Sequence, residues 1–150
     1  MDPSEAARAI NAVHVGTFAE ALGLEIVSAS RDEVRARVTL APGHRQPHGI
    51  VHGGVHAAVI ESVASIGAAI DAMGKGKTVV GLENATSFVR AVREGTLDVV
   101  GVPVTRGSRT QLWDVTIRTA EGAVVATGRV RLLVLDPEAT VGGAAIGGGA

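Results

Sequence analysis

The chain has 150 residues, 46% hydrophobic and 19% charged, which fits one domain with a real core and excludes disorder for most of its length. A formal net charge of -1, with Phe 2, Trp 1 and Tyr 0, supplies neither the basic excess nor the stacking surface of a nucleic-acid platform. Cys is 0, which excludes a disulfide scaffold, a thiolate metal site and a cysteine nucleophile. Asp2, Glu5 and Arg8 stand where a secretory signal would have a cationic start and an apolar run, so a cytoplasmic protein is expected.

In chain order, positions 4–13 are Ala-rich and read as a helix with Ser4 as N-cap and Glu5 in the first turn. A short helical turn at 17–22 is stopped by Gly23. Positions 24–29 and 33–40 alternate around the turn Ser30-Arg31-Asp32 and read as a hairpin, with Val34, Ala36, Val38 and Leu40 on one face. Positions 41–54 carry Pro42, Gly43, Pro47, Gly49, Gly53 and Gly54 and read as a loop. After Gly54 the period becomes helical as far as about Ala72. Val55, Val59, Val63, Ile66 and Ile70 form one stripe. Ala57, Glu61, Ala64, Ser65, Ala68 and Ala72 form the other. With no charged face left for water, this helix is expected to be buried all round, and His52, His56 and Glu61 argue against a membrane span. Four alternating segments follow, 78–89, 96–104, 111–119 and 124–135, joined by short turns that imply antiparallel pairing. Pro103 marks an edge or a bulge. Positions 1–136 form one domain, and 137–150 are a flexible Gly/Ala tail, disordered from Thr140 onward. One long helix among so many strands implies an α+β, hot-dog arrangement, a curved antiparallel sheet wrapped around a central helix.

Chemistry concentrates between positions 45 and 65. Glycines at a helix N-terminus let a ligand approach free N–H groups of positive partial charge, an anion or oxyanion site. Gly53 and Gly54 would also serve a plain tight turn, and the adjacent His52 favours the functional reading. Glu61 has Ala57, Ala58, Ala64 and Ser65 at the i±3 and i±4 positions, so no base on its own helix pairs it. It is either a general base or nucleophile, or one half of a salt bridge to an arginine of another strand. Ser65, one turn on, either holds a water or bonds back to its own helix. His44, His48, His52 and His56 recur every four residues, but Pro47, Gly49, Gly53 and Gly54 prevent the continuous helix that would make them one metal-binding face. No metal and no cofactor are expected.

The run Arg45-Gln46-Pro47-His48-Gly49-Ile50-Val51-His52-Gly53-Gly54, with Glu61 two turns into the helix and Ser65 four residues later, resembles the acyl-CoA thioesterases of the hot-dog superfamily. Within that superfamily it resembles the group of the Arthrobacter-type 4-hydroxybenzoyl-CoA and 1,4-dihydroxy-2-naphthoyl-CoA thioesterases. Val80-Gly81-Leu82-Glu83, Phe88-Val89-Arg90, Arg93-Glu94-Gly95 and Gly107-Ser108-Arg109 extend the likeness, which covers roughly positions 18–135. His48 and His56 depart from the pattern. The resemblance implies hydrolysis of an aromatic or medium-chain acyl-CoA, with Glu61 as base or nucleophile and Gly53, His52 and Gln46 polarising the thioester carbonyl. It implies that Ser65 positions water. It also implies CoA contacts from Gly81, Phe88, Val89, Arg90 and Ala91, and from Arg106, Gly107, Ser108 and Arg109. The helix N-terminus of one subunit is expected to face the Glu of its partner, in a homo-oligomer that is a dimer of dimers. A hot-dog enoyl-CoA hydratase and a non-catalytic acyl-CoA-binding protein are the competing expectations.

Overall fold

The structure, a computed structural model, describes residues 2–146. It contains helices α1 (Pro3–His14), α2 (Phe18–Ala21) and α3 (Gly53–Met73). The main strands are β1 (Leu24–Ala29), β2 (Val34–Thr39), β3 (Thr78–Phe88), β4 (Thr96–Arg106), β5 (Thr110–Thr119) and β6 (Val124–Leu135). A short hairpin, β7 (Thr140–Val141) and β8 (Ala144–Ala145), follows. The six main strands form one sheet in the order β1-β2-β4-β5-β6-β3, every neighbouring pair antiparallel. α3 packs across this sheet and touches each of its strands. That is the hot-dog arrangement the alternation and the single long helix imply.

The sheet is built as its pattern predicts. Val34, Ala36 and Val38 of β2 are buried while Arg35, Arg37 and Thr39 are exposed. Trp113, Val115 and Ile117 of β5 meet α3 from the same face of the sheet. Each such side chain contributes about 1.5–3 kcal/mol on burial. Pro103 lies at a bulge, between Pro103 and Thr105, and beyond Gly101, the last residue of β4 that β2 pairs, so one side of β4 is an open edge there. A proline suits that place, since its missing N–H removes no ladder bond on the open side of the strand.

Several expectations are corrected. The cap of α1 is Asp2, not Ser4, because the Asp2 carboxylate accepts from the N–H groups of Ser4 and Glu5. α3 begins at Gly53, within the expected loop, and is capped by His52. Positions 42–44 form a 3-10 turn. The tail from Thr140 is not disordered throughout: β7 and β8 pair around Gly142-Gly143, both at positive φ, as a two-residue hairpin requires. Residues 147–150 of that tail lie outside the described residues.

The largest correction concerns α3, which is not buried all round. Its buried residues are His56, Val59, Ile60, Val63, Ala64, Gly67, Ala68, Asp71 and Ala72, a seam spaced three and four apart. Val55, Ile66 and Ile70 are only half-buried, and Glu61 is exposed. The sheet covers one side of the helix and leaves open a flank of small residues around Glu61. α3 is long and apolar enough to cross a membrane by length and composition alone, but its most apolar seam is already taken by the sheet.

Candidate active site

The loop before α3 is held by hydrogen bonds at both ends. Val51 N–H donates to Val92 O (2.8 Å), His52 N–H to His44 O (2.8 Å), and the Arg93 guanidinium to His48 O (3.1 Å). Within the loop Gly49 N–H closes a turn onto Gln46 O (2.8 Å). Arg45 Nε donates to Arg93 O (3.0 Å), so Arg45 and Arg93 are both used as loop fasteners. His44 is a satisfied core histidine, with Nδ1 accepting from Ala41 N (3.1 Å) and Nε2 donating to Ala21 O (2.9 Å). The four histidines thus fall on a 3-10 turn, a loop, a cap and a helix, with no shared face.

This scaffold leaves three donors free at one place. Gln46 Oε1 accepts from His48 N (2.7 Å), and its amide NH2 has no acceptor among the described residues. His52 Nδ1 accepts from Gly54 N (2.8 Å), which in the neutral ring puts the proton on Nε2. Gly53 N–H, first in α3, has no acceptor among the described residues. All three residues line one cavity of about 530 Å³, together with Ile50, Val51, Gly54, His56, Phe88, Val89, Arg90 and Ala91. A Cβ at Gly53 would lie 2.7 Å from the Phe88 ring, so glycine is what lets Phe88 close over the helix start.

Glu61 stands elsewhere. It is exposed and has no ion-pair partner among the described residues, and the cavity it lines, about 230 Å³, is shared with Gly81, Leu82, Glu83, Asn84 and Val130. A Cβ at Gly81 would lie 3.0 Å from Glu61 Oε1. β3 bulges between Gly81 and Glu83, and Asn84 Nδ2 donates to Ala57 O (2.9 Å), fixing the bulge beside Glu61. Ser65 is half-buried with its hydroxyl unbonded among the described residues, while the neighbouring Ser62 makes the back-bond to its helix, onto Ala58 O (2.8 Å). At 1.5 Å per residue, Glu61 lies ~12 Å along the helix axis from Gly53.

The proposed CoA contacts separate as well. Phe88, Val89, Arg90 and Ala91 are at the donor cavity, and Gly81 is at the Glu61 cavity. Arg106, Gly107, Ser108 and Arg109 form the β4–β5 turn at the far end of α3. There Arg106 binds Asp32 Oδ1 (2.7 Å) and Arg31 binds Asp71 Oδ1 (3.2 Å). Arg106 is therefore already engaged, whereas Arg90 and Arg109 are exposed and without carboxylate partners among the described residues. One chain alone thus does not assemble the expected site. The donors, the carboxylate and the turn arginines occupy the start, the middle and the end of α3.

Sequence reasoning missed two features. Asp71 is a buried carboxylate in the last turns of α3, bonded to Lys75 Nζ (2.5 Å) and Gln111 Nε2 (3.1 Å), with Trp113 Nε1 donating on to Gln111 Oε1 (3.0 Å). The Asp71/Lys75 spacing of four was a readable signal for part of it. The other is Asn84 with its bulge, which no local pattern announces.

Comparison with known proteins places residues 48–126 on the family model described as the thioesterase superfamily. An esterase-named protein of Mycobacterium tuberculosis is 42% identical over 79% of this chain and 86% of its own length. Its solved structure superposes with a TM-score of 0.78, covering 79% of this chain and 96% of that one. The 1,4-dihydroxy-2-naphthoyl-CoA hydrolase of Escherichia coli is 31% identical over 85% of this chain and 93% of its own. A thioesterase structure from Haemophilus influenzae, 30% identical, superposes with a TM-score of 0.81 over 87% of this chain and 90% of that one.

Proposed function

The chain belongs to the thioesterase superfamily, and we propose that it hydrolyses an aromatic or medium-chain acyl-CoA in a site shared by two subunits. The observation that carries this reading is the separation of Glu61 from the three free donors of Gln46, His52 and Gly53.

β3 is an edge strand of eleven residues, mostly exposed, and lies beside α3 and Glu61. An edge of that length is a ready site for strand pairing. A two-fold axis across it pairs β3 with its copy antiparallel and sets the two α3 helices side by side in opposite directions. That brings the donor end of one helix toward the Glu61 of the other. A dimer of dimers would add contacts between outer faces.

In such a site the thioester oxygen lies among Gly53 N–H, His52 Nε2–H and the Gln46 amide. These donors strengthen their bonds as the oxygen gains charge. Glu61 takes a proton from a water held by Ser65. The water oxygen bonds to the carbonyl carbon, the C–S bond breaks, and the CoA sulfur leaves with the proton returned from Glu61. In the nucleophilic variant the Glu61 carboxylate itself bonds to the carbonyl carbon, the C–S bond breaks and CoA leaves as the thiolate, and water then opens the anhydride to the free acid and Glu61. Arg90 and Arg109 are free to meet CoA phosphates. Acyl-CoA as substrate makes the cytoplasm the place of action.

Free-thiol release from a panel of aromatic and aliphatic acyl-CoAs tests the reading. We expect turnover by the wild type and a loss of roughly 100-fold or more in Glu61→Gln. Equal turnover by both proteins would remove Glu61 from the chemistry.

A further inference from the structure

The donor cavity contains a polar side chain that thioester hydrolysis leaves unused. His56, one turn into α3, is 4% exposed, and its ring lines the cavity shared by Gln46, His52 and Gly53. No hydrogen bond joins it to any described residue, yet its nitrogens are not among the sealed, unpartnered atoms, so they face the cavity space. The contrast with His44 is direct, since that buried imidazole has both nitrogens bonded within the chain. A buried polar group without a protein partner is costly unless something else bonds it.

The surroundings narrow what that something is. Apart from Arg90, the rest of the wall is apolar, made by Ile50, Val51, Phe88, Val89 and Ala91, and the Phe88 ring centroid is 6.4 Å from that of His56. No charged carboxylate lines the cavity, so an ionic partner for the imidazole is absent there among the described residues. Burial pushes the His56 pKa below the ordinary imidazole value, so the ring is neutral near pH 7 and offers one donor and one acceptor. Along the helix His56 is three residues from Gly53, ~4.5 Å at 1.5 Å per residue. A carbonyl oxygen held at Gly53 N–H and a group bonded by His56 therefore share one cavity, about one helical turn apart along α3.

We propose that His56 is a specificity-determining residue. It hydrogen-bonds a hydroxyl or oxo oxygen that the acyl group carries near its thioester carbonyl, so acyl-CoAs with that oxygen are preferred over their plain counterparts. The proposal rests on the acyl-CoA reading of the cavity. Most ligand pockets are apolar with a few placed polar groups, and a site built to bond a hydroxyl rejects the analogue lacking it.

The test compares kcat/KM for two matched pairs, 3-hydroxyoctanoyl-CoA with octanoyl-CoA and 2-hydroxybenzoyl-CoA with benzoyl-CoA. In the pair turned over faster, the wild type is expected to favour the hydroxylated member by roughly 10-fold or more. His56→Leu should lose that preference, and His56→Gln, which still bonds, should keep part of it. A ratio unchanged in His56→Leu, or no preference in the wild type, overturns the proposal. If the wild type releases thiol from none of the panel, the hydrolysis reading fails by itself. His56 is then judged by the affinities of non-hydrolysable thioether analogues of the same pairs. Tighter binding of the hydroxylated analogue by wild type but not by His56→Leu supports the proposal, and equal affinities in the wild type reject it.

Discussion

Glu61 is exposed on α3 with no ion-pair partner among the described residues, so removing its charge should harm the reaction and spare the fold. Glu61→Gln is expected to melt within about 0.5 kcal/mol of wild type while losing its turnover. His52 is different because it does two things. Its Nδ1 caps α3 through Gly54 N–H, and its Nε2–H is free for the substrate. His52→Ala should therefore cost about 1 kcal/mol in a denaturant titration, in addition to roughly 100-fold in kcat. Gln46, His52 and Gly53 could be read from the sequence because they sit within a few residues at one helix start, where spacing alone brings them together. The exposure of Glu61 could not, since it depends on which flank the sheet covers. The same holds for Asp71, whose partners Arg31 and Gln111 come from the β1–β2 turn and β5. Asp71→Ala leaves the amide of Gln111, 1% exposed, with only its longer bond to Ala68 O (3.4 Å), and should cost about 1–3 kcal/mol of stability.

Among the elements, the contact between α3 and the sheet is the tightest. A Cβ at Gly67 would lie 2.3 Å from the Trp113 ring, and Trp113 is fully buried, so neither partner has room to move. Gly67→Ala should destabilise by about 1–3 kcal/mol, read as a lower urea midpoint at unchanged slope. The sequence showed the strands well, because alternation such as Val34-Arg35-Ala36-Arg37-Val38 records which side faces the core. It showed the helix boundaries less well. Asp2 and Ser4 both have capping chemistry, and Pro3 at the first helical position settles the matter in favour of Asp2. The Gly-Gly hairpin in the tail was hidden because its strands are two residues each and lack a hydrophobic face.

For the whole molecule, His14 and His56 make stability depend on pH. Burial holds both imidazoles below their ordinary pKa in the folded chain. The unfolded chain then takes up protons first as pH falls below about 6.5. Stability present above that pH is lost as pH drops through the folded values. Thermal melts from about pH 8 to about pH 5 should show this decline, and His56→Leu should make it shallower. Assembly is the level that one chain's sequence states least. The edge strand β3, the open flank of α3 and the distance between Glu61 and the donor cavity become meaningful together only once a second copy is placed across that edge. The sharpest test is complementation. Glu61→Gln is co-expressed with a Gln46→Ala/His52→Ala double variant, under different affinity tags, and the mixed dimer is isolated. Each parent alone should be nearly inactive. Shared sites predict that the mixed dimer regains about half the wild-type turnover, because one of its two sites then carries every native group. A mixed dimer as inactive as its parents would contradict the shared site and place Glu61 with the donors of its own chain.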